Sequence, residues 1–252
     1  MLRQAKQLKN YKLGARDGDI GRVKDFYFDD QIWTVRYLVA DTGGWLSGRL
    51  VLISPYALDP PNDDTKIIPV NLTKGQIENS PAIAADQPVS RHFEWDYYSY
   101  YGWPGYWGGS YAWGETPYPT PGLAHWSEEM RLTGGNDPHL RSMKEVSGYN
   151  AEALDGEIGH IDDFLIDDET RTIRYLAIDT RNWWPGKKVL VSPEWIQRVS
   201  WAEARVFINL NRGIIKSAPE YDEHRPITRD YETRLYRHYN REYYWASSAA
   251  ST

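Results

Sequence analysis

The sequence predicts a mainly β fold: two small β-barrels in tandem, with short helices and an aromatic-rich connector. Three observations predict it. The 252-residue chain repeats itself at a constant offset of 138, Tyr11–Tyr101 aligning with Tyr149–Tyr239 without a gap; 26 of the 69 positions from Leu13 to Pro81 are identical in the second copy. Each copy contains short runs of β-branched and aromatic residues bounded by turn dipeptides, the pattern of strands in a small closed or nearly closed barrel. Between the copies, His92–Trp126 holds 13 aromatic side chains in 35 residues, five Trp, seven Tyr and one Phe.

The elements follow in order. Asp17-Gly18 and Asp155-Gly156 are tight-turn dipeptides, in which glycine takes positive φ without steric cost. Gly21 and Gly159 mark an expected bulge three residues later. Ile20–Phe28 forms the first strand, matched by Ile161, Phe164 and Ile166 in the second copy. Thr34–Ala40 and Thr172–Ile178 form the next pair, then Arg49–Ile53 and Lys187–Val191, each closed by Ser-Pro. Lys66–Leu72 and Arg205–Leu210 are the fourth pair, with Pro69 placing the first of them at an edge or a bulge, because proline cannot donate to a ladder. Thr73 and Gln76 stand at capping-box spacing and open a short helix; at the matching site Asn211 retains only the cap. Asp25 with Arg36, and Asp163 with Arg174, are expected to form cross-strand ion pairs in both barrels. Pro88-Val89-Ser90-Arg91 returns as Pro226-Ile227-Thr228-Arg229, so each repeat is a barrel plus an appended aromatic segment that ends at Tyr101 or Tyr239.

The Asp-Gly-x-Ile-Gly turn at 17–21 and 155–159, the Asp-Phe that follows, the Arg-Tyr-Leu strand and the Val-Leu-x-Ser-Pro closure resemble the PRC-barrel family. The resemblance spans Tyr11–Pro81 and Tyr149–Pro219. It implies the fold of the cytoplasmic domain of the photosynthetic reaction-centre H subunit, and a relationship to a ribosome-maturation factor that binds a small-subunit ribosomal protein. It implies little about activity, since one fold hosts many unrelated sites. The expected organisation is barrel repeat 1 at 1–91, the aromatic Gly/Pro-rich connector at 92–138, barrel repeat 2 at 139–229, and a basic, aromatic helix and tail at 230–252. Within the last segment, Tyr231, Leu235, Tyr239 and Tyr243 recur every four residues beside Arg229, Arg234, Arg237 and Arg241, an apolar stripe expected to dock on its own barrel. Ala246–Thr252 reads as a small polar tail.

Composition narrows the function classes. The chain has no cysteine, which excludes disulfides, thiolate catalysis and Cys-ligated metal. The first nine residues lack the apolar core of a signal peptide, and no run approaches the 18 or so apolar residues of a spanning helix. A cytoplasmic location, at most peripheral to a membrane, is expected. The net charge of −6 argues against nucleic-acid binding, which needs a basic face. The six histidines stand singly without metal-ligand spacing, and Asp155, Glu157, Asp162, Asp163, Asp167, Asp168 and Glu169 read as turn chemistry rather than a calcium site. No nucleophile elbow, phosphate loop or dinucleotide fingerprint occurs. No catalytic residue, cofactor or metal is therefore assigned.

The expected function is a non-enzymatic protein-interaction or assembly module with a protein partner or self-association. Its alternatives are a peripheral reaction-centre H-subunit-like accessory of photosynthetic electron transfer, and an RNA or ribosome-assembly factor. Aromatic density alone nominates Trp95, Tyr98, Tyr101, Trp103, Trp107 and Trp113 as partner-binding residues, because Tyr and Trp dominate interface hot spots. The competing reading of the same stretch is missing core: rings that each bury about 150–250 Å² would not all be left in water.

Overall fold

The structure, a computed structural model, describes residues 1–46, 49–84, 88–122, 139–180 and 187–246. The chain divides into two compact units: residues 1, 3–144 and 166–173 form the first, and residue 2, 145–165 and 174–252 the second. The assigned tail, apart from Ala246, lies outside the described residues.

Fourteen strands are found among the described residues: β1 (Leu2–Gln4), β2 (Lys12–Ala15), β3 (Gly18–Asp29), β4 (Thr34–Asp41), β5 (Arg49–Ile53), β6 (Ile67–Pro69), β7 (Ile83–Ala84), β8 (Leu140–Ser142), β9 (Asn150–Ala153), β10 (Gly156–Asp167), β11 (Ile173–Asp179), β12 (Lys188–Val191), β13 (Ile196–Ser200) and β14 (Arg205–Ile208). In the first unit six of them follow the order β6-β2-β3-β4-β5-β7, and β8 adds antiparallel to β3. In the second unit the order is β12-β11-β10-β9-β14-β13. β2 with β3 and β9 with β10 pair antiparallel across two-residue turns, whereas β2 with β6 and β9 with β14 are parallel. β4 sits centrally, and its run Thr34–Ala40 is buried throughout, so no polar-out alternation remains.

The turn residues behave as their chemistry requires. The register slips between Leu13 and Gly14, opposite Asp19–Gly21, and between Glu157 and Gly159, so both expected bulges form. A Cβ on Gly21 would lie 1.9 Å from the Asp41 carbonyl oxygen, and one on Gly159 2.0 Å from that of Asp179. Only glycine fits where the two backbones approach so closely. Pro69 ends β6 on the sheet edge, as its missing N–H demands. Thr73 and Gln76 form both halves of the capping box that opens the helix Lys74–Glu78. Asn211 makes no cap with its side chain, contrary to expectation; Asp155 Oδ1 instead accepts from the Arg212 N–H, as Asp17 Oδ1 does from the Lys74 N–H.

Two further expectations are corrected. Arg36 does not pair with Asp25. In the β3–β4 ladder Asp25 faces Val39, while Asp29 faces Thr34, so the Arg36 guanidinium reaches Asp29 at 3.5 Å. Asp25 instead accepts from the Ser142 hydroxyl and from the Lys144 N–H, holding the start of the short helix Met143–Val146. The repeat also runs past Tyr101 and Tyr239. The helices Arg91–Tyr101 and Arg229–Tyr239 both end on a left-handed residue, Gly102 at φ 68° and Asn240 at φ 50°. The next N–H, of Trp103 or Arg241, then returns to the carbonyl of Tyr98 or Tyr236 at 3.0 Å in each case. Equivalence therefore extends through Tyr106-Trp107 and Tyr244-Trp245.

The appended aromatic segment is core. Tyr97, Tyr98, Tyr106 and Trp113 join Tyr37, Val39, Leu52 and Tyr56 in one buried cluster of the first unit. Each ring at about 25 cal/mol per Å² of apolar area contributes roughly 4–6 kcal/mol of gross transfer energy when fully buried. In the second unit the C-terminal helix buries Leu235 and Tyr239 of the expected stripe together with Tyr236, while Tyr231 is half-buried and Tyr243 lies beyond the helix end.

Candidate functional site

Among the described residues each unit buries one glutamate, Glu94 or Glu232, held by residues at matching positions. In the first, Ser90 caps the helix Arg91–Tyr101 by accepting from the Phe93 N–H, which sets Glu94 on the first turn facing β4. Tyr37 from β4 and Tyr106 from beyond the helix donate to Glu94 Oε1 at 2.8 and 2.9 Å, and Arg91 binds Oε2 at 2.6 Å. The Arg36 guanidinium lies 3.6 Å from the centre of the Tyr106 ring. In the second unit Tyr175 and Tyr244 donate to Glu232 Oε1 at 2.8 and 3.0 Å, and Arg229 binds Oε2 at 3.0 Å. There Arg174 lies 4.2 Å from the centre of the Tyr244 ring. Burial pushes the Glu94 carboxyl up to about 7, against the opposing pull of the Arg91 charge and the two tyrosine hydrogen bonds. Glu94 has no exposure to solvent. The arrangement fastens helix to sheet, and its duplication makes it part of the framework.

This cluster escaped sequence reading because its fifth member, Tyr106 or Tyr244, lies beyond the point where obvious identity stops. The signal was present: Tyr-Trp recurs five residues after Tyr101 and Tyr239.

The copies differ on one face. The first unit carries a cleft of about 610 Å³. Its aromatic wall is Tyr56, Tyr100, Tyr101 and Trp103; Arg16, Asn71 and Gln76 supply polar groups, and Ala57, Leu72 and Pro121 complete the lining. Tyr101 and Trp103 stack at 4.4 Å with 15° between their planes, and Tyr100 meets Tyr101 edge-on at 4.8 Å. The Tyr56 hydroxyl is buried and has no hydrogen-bond partner among the described residues; burial raises it to about 12. At the matching place in the second unit Trp195 replaces Ala57, is 3 % exposed, and packs on Tyr236 and Tyr239 at 5.2 and 4.8 Å. Arg241 replaces Trp103 and donates to the Asn209 carbonyl. Leu154 and Ile214, both exposed, replace Arg16 and Gln76.

The six residues nominated from aromatic density divide accordingly. Tyr101 and Trp103 line the cleft. Tyr98 and Trp113 are buried, at 0 % and 2 % exposure, and Trp113 Nε1 donates to the Thr170 carbonyl at 2.9 Å. Trp107 is half-buried beneath the Arg91 guanidinium at 4.7 Å, and Trp95 is half-buried on the helix. Density could not separate these roles, since burial depends on the phase of the helix against the sheet.

The PRC-barrel domain family matches residues 5–77 and 149–213, over half of the chain. The chain belongs to the PRC-barrel family. No curated protein matches it. The cleft of the first PRC barrel combines Arg16, Tyr56, Ala57, Asn71, Leu72 and Gln76 from the matched domain with Tyr100, Tyr101, Trp103 and Pro121 from outside it. It is thus a feature of this chain's aromatic extension as much as of the PRC-barrel itself.

The acidic turns of the second PRC barrel are occupied by local chemistry. Asp167 Oδ1 accepts from the Glu169 N–H, and Asp155 binds the Arg212 N–H. His160, Asp162 and Asp179 bring ligand atoms within 4.8 Å of one another. The Lys188 ammonium stands 2.9 Å from Asp162 and 2.7 Å from Glu223, so a cation of the chain itself already balances this patch. Among the described residues no helix is long and apolar enough to cross a membrane.

Proposed function

We propose that this tandem PRC-barrel protein is a non-enzymatic interaction or assembly module whose partner docks at the cleft of the first barrel. The observation that carries the reading is the contrast between copies: the second barrel sets a buried Trp195 where the first has Ala57, which lines a cleft walled by Tyr101 and Trp103. A half-buried Tyr101–Trp103 stack flanked by an exposed Tyr100 has the composition of an interface hot spot. The perturbed carboxyl of Glu94 is consumed by the framework and shielded from any substrate, which supports a role in binding over one in catalysis.

The test is chemical cross-linking of the full chain to proteins of its source cells, with wild type compared against Trp103→Ala. A discrete set of cross-linked partners that the variant loses is expected. Identical cross-links from both proteins, or none from either, would overturn the reading.

A further inference from the structure

The cleft's hydrogen-bonding inventory restricts what can fill it. Several of its acceptors are already engaged, although Asn71 Oδ1, whose amide nitrogen donates to Asp59, is open among the described residues. The carbonyls of Ala57, Leu72 and Gln76 accept from the Asn71 N–H, the Arg16 N–H and the Tyr100 hydroxyl. Gln76 Oε1 accepts from the Thr73 N–H. The exposed Arg16 guanidinium is a free donor, with no ion pair or side-chain hydrogen bond among the described residues. A ligand that matches presents an anionic acceptor to Arg16 and lays flat apolar rings on the wall of Tyr101 and Trp103. Proline offers a carbonyl acceptor, no N–H, and a rigid ring that packs on aromatic faces.

The chain supplies its own example. Pro121, the last proline of Thr116-Pro117-Tyr118-Pro119-Thr120-Pro121, lines the cleft. A pyrrolidine ring is already part of the lining, and the cleft of about 610 Å³ has room for a short extended segment.

Resting on the binding role proposed above, we infer that the cleft of the first barrel takes an extended proline-rich peptide segment of a partner protein, carrying a carboxylate that Arg16 engages. The rings stack on Tyr101 and Trp103, a carbonyl accepts from the exposed Gln76 amide, and Arg16 selects an acidic residue through its forked donors. The second barrel, with Leu154, Ile214 and the buried Trp195, cannot duplicate the site.

Isothermal titration calorimetry of the full chain tests this with three capped peptides: Pro-Pro-Glu-Pro-Pro-Pro, the same sequence with Gln for Glu, and a Gly-Ser hexamer. One peptide per chain is expected, with the Glu peptide preferred about tenfold over the Gln peptide. Arg16→Leu, which installs the second barrel's residue at an exposed position, is expected to erase that preference while leaving the Gln peptide bound. Trp103→Ala is expected to weaken both by about tenfold or more. Should Trp103→Ala lose its cooperative melt, the Arg16→Leu comparison and the wild-type preference still decide. No heat at millimolar peptide, equal affinity for the Gly-Ser hexamer, an undiminished preference in Arg16→Leu, or binding of trigalacturonate in place of the peptides would overturn the inference. If partners are cross-linked through Trp103 but no peptide binds, this inference fails and the interaction role stands. If the peptide binds and no partner is cross-linked, the assembly role fails instead.

Discussion

Glu94 titrates where few carboxylates do, and the sign of its effect follows from burial. Its carboxyl is raised from 4.5 to about 7 in the folded chain, facing Arg91, Tyr37 and Tyr106, with Arg36 beyond the Tyr106 ring. A carboxyl raised on folding favours the native state while protonated. That contribution is complete below about pH 4.5 and is lost as pH rises through about 7. A shift of this size corresponds to about 3 kcal/mol. Urea melts of wild type and Glu94→Gln between pH 5 and 8 should therefore differ in slope: wild type loses stability across the range, and the variant is flatter by about that amount. Parallel curves would mean that Glu94 stays ionised throughout. Gly21 sets the other extreme of single-residue cost. Alanine there would drive Cβ to 1.9 Å from the Asp41 oxygen at φ 123°, whereas at Gly43, φ 61°, nothing lies within 4 Å. Gly43→Ala should cost about 1 kcal/mol for its left-handed backbone. Gly21→Ala should exceed about 3 kcal/mol or prevent folding, since backbone must move. Similar denaturation midpoints for the two would contradict the close approach of β3 and β4.

At the scale of elements, the four expected strand pairs, the turn glycines and the capping box were legible because local chemistry alone determines them, whereas β1, β2, β7, β8, β9 and β13 were not. A glycine that must take positive φ, or a Thr-x-x-Gln step before a short helix, needs no tertiary context. What resisted reading depended on register and helix phase. Asp25 and Arg36 lie on neighbouring strands, yet the bulge between Val23 and Asp25 sets Asp25 opposite Val39 and hands Arg36 to Asp29. Aromatic density pointed to Tyr98 and Trp103 alike, and only the packing of the helix Arg91–Tyr101 made one core and the other cleft wall. The Ala57-to-Trp195 exchange at the cleft looked like one difference among many in a diverged pair. The helix ends also carry a prediction. Gly102 and Asn240 occupy the same left-handed cap, and asparagine tolerates it less well than glycine. Asn240→Gly should stabilise the second unit by about 0.5–1 kcal/mol, raising its Tm by roughly 2–4 °C. A lowered Tm would show that the Asn240 side chain does more than cap.

For the whole molecule, the consequence of duplication is that each barrel depends on residues far along the chain from its own sheet. Residues 102–122 resemble a dispensable Gly/Pro-rich loop, but they bring Tyr106 to Glu94 and Trp113 to the buried face of Tyr56. Removing them would leave the Glu94 carboxylate buried without Tyr106, one of its three side-chain partners, and would open the space held by two large rings, together a penalty of several kcal/mol. Small barrels have little stability in reserve. Deleting 102–122 should therefore unfold the first unit rather than trim it, while the second, with Glu232, Tyr175 and Tyr244 all outside the deletion, keeps its own cluster. Hydrogen exchange read by mass spectrometry separates the two: peptides from β3 to β5 should lose protection, and those from β10 to β12 should keep it. Protection retained throughout would place the connector outside the first core and return Tyr106 and Trp113 to the surface. Protection lost everywhere would mean that neither barrel holds its fold without the other, a dependence that the separate burial of Glu94 and Glu232 does not require.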